Sequence, residues 1–151
     1  MSKEYVNKNV DEIVKNEDLQ FPLNMAMASA WILGNFKGIN LKVLDMKKST
    51  SLADYFVIAS ASNTSQASSM ANEVIAQMKR NDSKILSKEG LYENADWILL
   101  DMGDLIVHIF QETARNIYDL DNLWDVDSIK IPNEYYHSED ETSQDTNKSY
   151  F

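Results

Sequence analysis

The sequence contains no cysteine, so it can form neither disulfide bonds nor thiolate metal sites. It also has no apolar run that approaches the length of a membrane-spanning helix. Residues 1–20 are too polar for a secretory signal peptide and too acidic for an organelle transit peptide. These absences argue against a secreted, membrane-embedded or organelle-imported protein, and we expect a cytoplasmic one.

Hydrophobic residues make up 44% of the 151 residues, which is typical of a globular protein with a core of its own. This length suits one domain. We expect a flexible N-terminal extension over residues 1–20, an α/β domain over residues 21–132 and a disordered acidic tail over residues 133–151. The polar composition of the two end segments leaves them little to bury.

Charge is distributed unevenly along the chain, whose net charge is -10. Residues 37–88 contain eight basic and four acidic side chains, whereas residues 89–127 contain ten acidic side chains and Arg115 as their single base. An acidic field repels nucleic acid and speeds encounters with basic proteins. Solubility alone also explains an acidic surface, so charge by itself leaves both interpretations open.

The centre of the fold is predicted at two apolar runs, residues 97–100 and 105–110. They flank Asp101-Met102-Gly103-Asp104, where the glycine supplies the positive φ that a hairpin turn needs. Runs that are apolar on both sides belong in the middle of a sheet, with helices covering it. We therefore expect a buried antiparallel hairpin.

The remaining patterns predict an α/β fold with a mixed sheet of about five strands and flanking helices. Its elements are a helix over residues 23–36 that stops at Gly38, a strand over 39–46 near a sheet edge, a central strand over 53–59, a helix over 67–80 capped by Asn63 or Thr64, a short strand over 84–87 and a helix over 111–118.

Candidate catalytic groups are sparse. His108 lies mid-strand, and a lone histidine forms no zinc site and lacks an orienting carboxylate for general-base work, so we interpret it as a structural or interface residue that hydrogen-bonds locally. Asp119-x-Asp121 and Asp125-x-Asp127 could hold Mg²⁺ on a strand, but they follow the last predicted helix. No glycine-rich loop accompanies them to hold a phosphate, so solvated acids are the simpler interpretation.

Aromatic anchors are the other notable feature of the acidic segment. Trp97 and Trp124 resemble interface hot spots, although tryptophan also fills cores. Arg115 is the one base among ten acids, and its simplest interpretation is a local helix ion pair of small energetic value. An acidic surface with aromatic anchors and no catalytic set is typical of a binding module.

A specific order of short motifs extends this interpretation. Asp54 precedes the strand residues 57–59 (VIA), and a small polar loop leads into the next helix. Five further motifs follow in order: the pair Glu89-Gly90, the Asp-Trp pair at residues 96–97, the D-x-G-D turn at 101–104, the Val-His pair at 107–108 and the run R-x-x-Y-x-L-D-x-L-W at 115–124. Together, over residues 23–124, they resemble the ribosomal silencing factor family, RsfS, also called Iojap-like proteins.

The resemblance implies an α/β fold similar to nucleotidyltransferases but without their catalytic carboxylates, and hence neither enzyme activity nor a cofactor. It implies binding to ribosomal protein L-fourteen of the large subunit, which blocks joining of the small subunit and represses translation when nutrients are limited. It also implies a homodimer off the ribosome. We expect no metal site and no direct binding to nucleic acid or membranes.

Carried onto this chain, the resemblance implies a set of partner-binding residues and two structural turn glycines. The former are Glu89, Trp97, Asp101, Met102, Asp104, His108, Arg115, Tyr118, Leu123 and Trp124, and the latter are Gly90 and Gly103. The glutamate of the family's closing segment is Asp121 here, a shorter carboxylate that we expect to weaken a contact. Two other classes stay open, a Mg²⁺-dependent nucleotidyltransferase-like enzyme and a protein-binding scaffold unrelated to ribosomes.

Overall fold

A computed structural model describes residues 1–137. The helices and strands of this part follow each other as α1 (Lys3–Val14), α2 (Leu23–Asn35), β1 (Ile39–Asp45), β2 (Tyr55–Ala61), α3 (Thr64–Arg80), β3 (Ser87–Glu89), β4 (Trp97–Asp101), β5 (Leu105–Gln111), α4 (Glu112–Tyr118) and β6 (Ser128–Ile129). Two short 3₁₀ helices, Leu120–Asn122 and Asn133–Tyr135, flank β6. Asn63 caps α3, as expected, since its side chain accepts a hydrogen bond from the Gln66 amide.

The strands form one mixed sheet in the order β3-β4-β5-β2-β1-β6. β2 and β5 run parallel at the centre, and the other described pairs are antiparallel. This confirms the mixed sheet, the β4–β5 hairpin and the central position of β2. The expected number of five strands is wrong, because Ser128–Ile129 pairs with β1 as a sixth. The short strand predicted at residues 84–87 lies at Ser87–Glu89.

Helices α2 and α3 cover one face of the sheet, and α1 packs on the outer side of α2. Eleven of the thirteen residues of α2 are buried, because the sheet lies on one side of this helix and α1 covers another. A helix that is apolar all round needs such cover. Val6 and Val10 of α1 are 2% and 0% exposed. The prediction of a flexible N-terminal extension is therefore wrong for Lys3–Val14, which is docked on the core.

The end of α2 differs from the prediction in one residue. Lys37, with a φ of 69°, takes the left-handed position that was expected at Gly38. The Gly38 amide donates to the Leu33 carbonyl at 2.8 Å, which completes the helix stop. A glycine is still required at position 38, because a Cβ there would meet the Leu33 carbonyl oxygen at 2.5 Å.

Residues 128–137, which we call the C-terminal strap, run from β6 along the edge of β1 to α2. Tyr135 is buried, and its carbonyl accepts a hydrogen bond of 2.8 Å from the Asn35 side chain. The strap passes so close to Gly34 that a Cβ at that position would collide with the Tyr135 carbonyl. The predicted disordered tail is therefore wrong for residues 133–137, while residues 138–151 lie outside the described residues.

The opposite face of the sheet has no comparable helical layer within residues 1–137. Short elements cover it: α4, the first 3₁₀ helix and the loop that follows, whose Ala114, Leu120 and Trp124 pack on Phe56 and Phe110 of the sheet. The expectation that helices cover the sheet is thus confirmed for one face only. We call the other side the open face.

Candidate functional site

A continuous series of aromatic rings crosses the open face. Neighbouring ring centroids are 5.0 Å apart for Tyr118 and Trp97, 5.7 Å for Trp97 and His108, 4.7 Å for His108 and Phe56, and 5.3 Å for Phe56 and Trp124. We call these five residues the aromatic row. Rings at such separations stabilise one another, so the row packs as a unit.

The alternation of strand side chains places the row on this face. Trp97 and Leu99 of β4 lie opposite Phe110 and His108 of β5 in the antiparallel register. Ile98, between them in the sequence, points to the helical side and joins the core there. The sequence alone therefore specifies which of these side chains share a face, but not that the face stays open.

The row is buried in its middle and accessible at its ends. His108 and Phe56 are each 3% exposed, Trp97 and Trp124 are half-buried, and Tyr118 is 48% exposed. Next to Trp124, Leu123 is 62% exposed. Apolar surface that is exposed at a rim and anchored in the core is suited to docking another protein.

His108 is held by a local hydrogen bond, in agreement with the sequence interpretation. Its Nδ1 accepts from the Trp97 indole Nε1–H at 3.1 Å. Burial lowers the pKa of His108 to about 3, although the charge of Asp121 acts in the opposite direction. The imidazole is therefore neutral, and a partner protein cannot reach it directly. Its Nε2 is buried without a hydrogen-bond partner among the described residues.

Arg115 is 6% exposed and its carboxylate partner, Asp121, lies beyond the end of α4, so the expectation of an ion pair within the helix is wrong. Its guanidinium donates to both Asp121 carboxylate oxygens, at 2.9 and 2.8 Å, and to the Ser60 hydroxyl at 2.8 Å. A fourth bond of 2.7 Å goes to the Asn40 carbonyl. Arg115 thus joins α4 to β1 and β2 and is not available to a partner.

The Asp121 carboxylate is fully engaged despite its short side chain. Burial would raise the pKa of Asp121, but hydrogen bonds and charge attraction from Arg115, with help from Lys42 at 3.4 Å, lower it below its usual value. Asp121 therefore remains ionised in a bidentate pair. The expected weakening of a contact by this shorter carboxylate is not seen for its pairing with Arg115.

Carboxylates crowd the end of the sheet at the β4–β5 turn. The backbone brings them together, since the Asp54 amide donates to the Asp104 carbonyl and the Asp45 amide to the Asp127 carbonyl, both at 2.9 Å. Lys47 lies nearby and bonds the Tyr55 hydroxyl at 3.1 Å. We call the following carboxylates the acidic end: Asp45, Asp54, Asp101, Asp104, Asp125 and Asp127.

Several predicted partner-binding residues have structural positions instead. Met102 is 7% exposed and packs in the core on the helical side. Asp101 accepts a hydrogen bond of 2.8 Å from the Gly103 amide, so it shapes the turn. Gly90 and Gly103 have φ of 81° and 85°, as expected of turn glycines. Glu89 ends the exposed edge strand β3 and lies opposite Leu99.

The open face thus brings together Trp97, Tyr118, Leu123 and Trp124 of the predicted set, and the acidic end adds Asp101 and Asp104. Sequence reasoning missed Phe56, which links the two half-buried tryptophans through His108. Its signal was present, because alternation along β2 assigns Phe56 to the side opposite Val57.

Two further properties concern the described part of the chain. Within residues 1–137 no three histidine, aspartate or glutamate side chains are grouped to hold a metal ion. None of the helices in the same range has the length and apolar character needed to cross a membrane.

Comparison with known proteins shows which family this chain resembles. Residues 20–150 match the family described as ribosomal silencing factor during starvation. The ribosomal silencing factor RsfS of Haemophilus influenzae is 35% identical over 92 residues, 61% of this chain and 89% of that protein. The protein Iojap, chloroplastic, of Zea mays is 26% identical over 123 residues, 81% of this chain and 53% of that protein.

Comparison with solved structures supports the same relationship. A crystal structure of a Bacillus halodurans protein superimposes with a TM-score of 0.61 and 28% identity, covering 77% of this chain and all of that one. The names of the matched family and of the Haemophilus influenzae relative describe silencing factors and not enzymes. Since the family match extends from the start of α2 through the open face and the C-terminal strap, the chain belongs to the ribosomal silencing factor family, RsfS.

Proposed function

We propose that this chain binds ribosomal protein L-fourteen of the large subunit through the aromatic row and the acidic end, and so blocks joining of the small subunit. The main supporting observation is the aromatic row, which is accessible at both ends on the open face. A covered large subunit cannot enter a complete ribosome, so translation is repressed under nutrient limitation. The family's description as a silencing factor during starvation supports this role.

The chemistry of the two surfaces suits a basic protein partner. Tryptophan and tyrosine are the residues that most often dominate binding energy at interfaces, and here they are anchored by their neighbours in the row. The acidic end adjoins the row at Trp124, since Asp125 follows Trp124 directly. An acidic rim attracts a basic ribosomal protein and repels the phosphates of bare RNA.

The proposed mechanism is steric and requires neither turnover nor a cofactor, so the chain is not an enzyme in this proposal. It acts in the cytoplasm, where the ribosomal subunits are. Off the ribosome, a second copy that covers the same open face would account for the homodimer that the resemblance implies.

The test is a subunit-joining experiment. Purified small and large subunits are mixed in association buffer with a saturating excess of the protein, and complete ribosomes are separated from free subunits by gradient sedimentation. We expect free subunits to accumulate and the protein to sediment with the large one. Normal joining in a saturating excess would refute the proposal.

A pair of variants shows which surface is responsible. Tyr118→Ser at the exposed end of the row should weaken large-subunit binding about tenfold, as loss of an interface tyrosine commonly does. Tyr92→Ser is the matched control, because Tyr92 is 75% exposed and contacts Asn72 of α3 on the other side of the molecule. Equal effects of the two changes would contradict the assignment of the row.

Two outcomes would favour the other classes. A protein that stays at the top of the gradient in all mixtures would favour a scaffold unrelated to ribosomes. A rise in melting temperature with Mg²⁺ and ATP would favour an enzyme, since a ligand at a hundred times its dissociation constant adds about 2.7 kcal/mol to the unfolding free energy.

A further inference from the structure

The indole of Trp97 has one polar atom, and that atom is used inside the protein. Its Nε1–H donates to His108 Nδ1 at 3.1 Å, while Phe110 and Tyr118 contact its ring with centroids 4.8 and 5.0 Å away. An indole offers a donor and no acceptor. With this donor satisfied from within, the accessible part of the half-buried ring is purely apolar.

The hydrogen bond determines the tautomer of His108. An Nδ1 that accepts carries no proton, so the neutral ring must have its hydrogen on Nε2. That Nε2 is buried with no partner among the described residues. The centroid of the His108 ring lies 4.7 Å from that of Phe56. A buried unsatisfied donor costs stability, so an apolar ring would suit this position better if packing were its only role.

We propose that His108 is a positioning residue, which fixes the orientation of the Trp97 indole that the ribosomal partner meets and does not touch the partner itself. This inference rests on the proposed function. The 3% exposure of His108 and the partial exposure of Trp97 support the division of roles. Tyr118 and Phe110 limit the tilt of the indole, and the hydrogen bond fixes which edge points inward.

The decisive variant is His108→Phe, which keeps a ring in the stack and removes the acceptor. We expect its affinity for purified large subunits, measured by sedimentation at several concentrations, to fall about tenfold, as expected for one lost hydrogen bond. Its midpoint of urea unfolding should stay near the wild-type value, because the change removes the unsatisfied Nε2 but leaves the Trp97 Nε1–H without its acceptor. His108→Asn, which can offer an acceptor near Nδ1, should recover part of the affinity.

A double-mutant cycle separates positioning from direct contact. Trp97→Phe removes the donor, so adding His108→Phe to it should cause no further loss of affinity. A loss in this background as large as in the wild type would overturn the proposal. If His108→Phe fails to fold, Trp97→Phe tests the same hydrogen bond by removing its donor.

The indole proton gives a readout that does not depend on binding. The chain has three tryptophans, so the ¹H–¹⁵N spectrum contains three indole signals, and that of Trp97 is the one absent in Trp97→Phe. We expect this signal alone to shift in His108→Phe. An unchanged signal together with wild-type binding would overturn the inference. If the wild type binds no large subunits, the proposed function fails. A shifted indole signal would in that case still support the conclusion that His108 fixes the orientation of the Trp97 indole.

Discussion

At the level of single residues, the open face depends on two polar groups that are buried, His108 and Arg115. Arg115 connects three separate segments through Asp121, Ser60 and the Asn40 carbonyl. His108 connects the centre of the sheet to Trp97. Both occur in the family motif, but burial gives them roles inside the protein and not at its surface.

The Arg115 network should be costly to break. Arg115→Ala leaves Asp121, whose side chain is 11% exposed, without its bidentate partner, and we expect a loss of about 3 kcal/mol in the free energy of unfolding by urea. Arg80→Ala is the control, because the side chains of Arg80 and Asp11 are 35% and 33% exposed and such a pair contributes no more than about 1 kcal/mol. Similar losses of unfolding free energy for both variants would show that the buried network contributes no more to stability than the exposed pair.

The protonation of His108 predicts a pH dependence of stability. Because burial lowers its pKa to about 3 from 6.5, the unfolded chain binds a proton below pH 6.5 that the folded chain does not. Stability is therefore lost as the pH falls through this window, at about 1.4 kcal/mol per pH unit for this one group.

Comparison with His108→Phe isolates this contribution, because the other titrating groups are shared. Between pH 7 and pH 5 the wild type should lose about 2 kcal/mol more unfolding free energy than the variant. Urea denaturation at the two pH values measures the difference. Parallel pH profiles would contradict a histidine that is kept neutral by burial.

At the level of elements, the patterns that predicted the fold best were those with their own local signals. Alternation and Gly103 identified the β4–β5 hairpin, and the apolar stripe with Asn63 identified α3. β6 has two residues and no periodicity, so only its pairing with β1 reveals it. The C-terminal strap was missed because Tyr135 lies in a polar context and is buried only by its docking on α2.

The docking of helix α1 on the core was missed for a related reason. Val6 and Val10 give a weak stripe, and it becomes meaningful only once the outer side of α2 is known to need cover. The candidate site shows the same limit: Trp97 and Trp124 could be named from the sequence, but their connection through Phe56 and His108 depends on strand order. Strand order is set by long-range pairing that local patterns do not encode.

The docking of α1 can be measured directly. Val10 is fully buried, so Val10→Ala should lower the free energy of unfolding by about 2 kcal/mol through lost burial and the cavity it leaves. Lys8→Ala, an exposed change on the same helix, should have little effect. If both variants were as stable as the wild type in urea, α1 would not be docked in solution.

At the level of the whole molecule, the two sides of the sheet are covered by different kinds of element. Three helices stabilise one side, and the other side is left with short elements, aromatic rings and the acidic end. Four of the ten acidic side chains counted along residues 89–127 join Asp45 and Asp54 at the acidic end, so the sequence predicted the sign of this charge but could not place it.

Charge reversal at the acidic end should slow association with the large subunit. Asp104→Lys combined with Asp125→Lys should lower the association rate about tenfold at low salt, with little effect on dissociation. Asp101 is left intact because it holds the turn. Stopped-flow mixing with labelled large subunits gives both rates.

The control carries the same change in net charge at positions outside the acidic end. Glu17→Lys combined with Asp18→Lys alters exposed positions in the loop between α1 and α2. Its association rate should fall far less than that of the acidic-end variant. If the two double variants associate equally slowly, total charge matters and the local field does not.

The helical layer has a consequence for how such a factor can diverge. In the proposed complex, a chain seated by the open face presents α1 and α3 outward, where an arriving small subunit would collide with them. An obstacle works through its volume and not through its chemistry. The outer residues of those helices are thus free to drift, provided that they remain soluble and folded. A foreign helix of similar bulk grafted in their place would obstruct equally well.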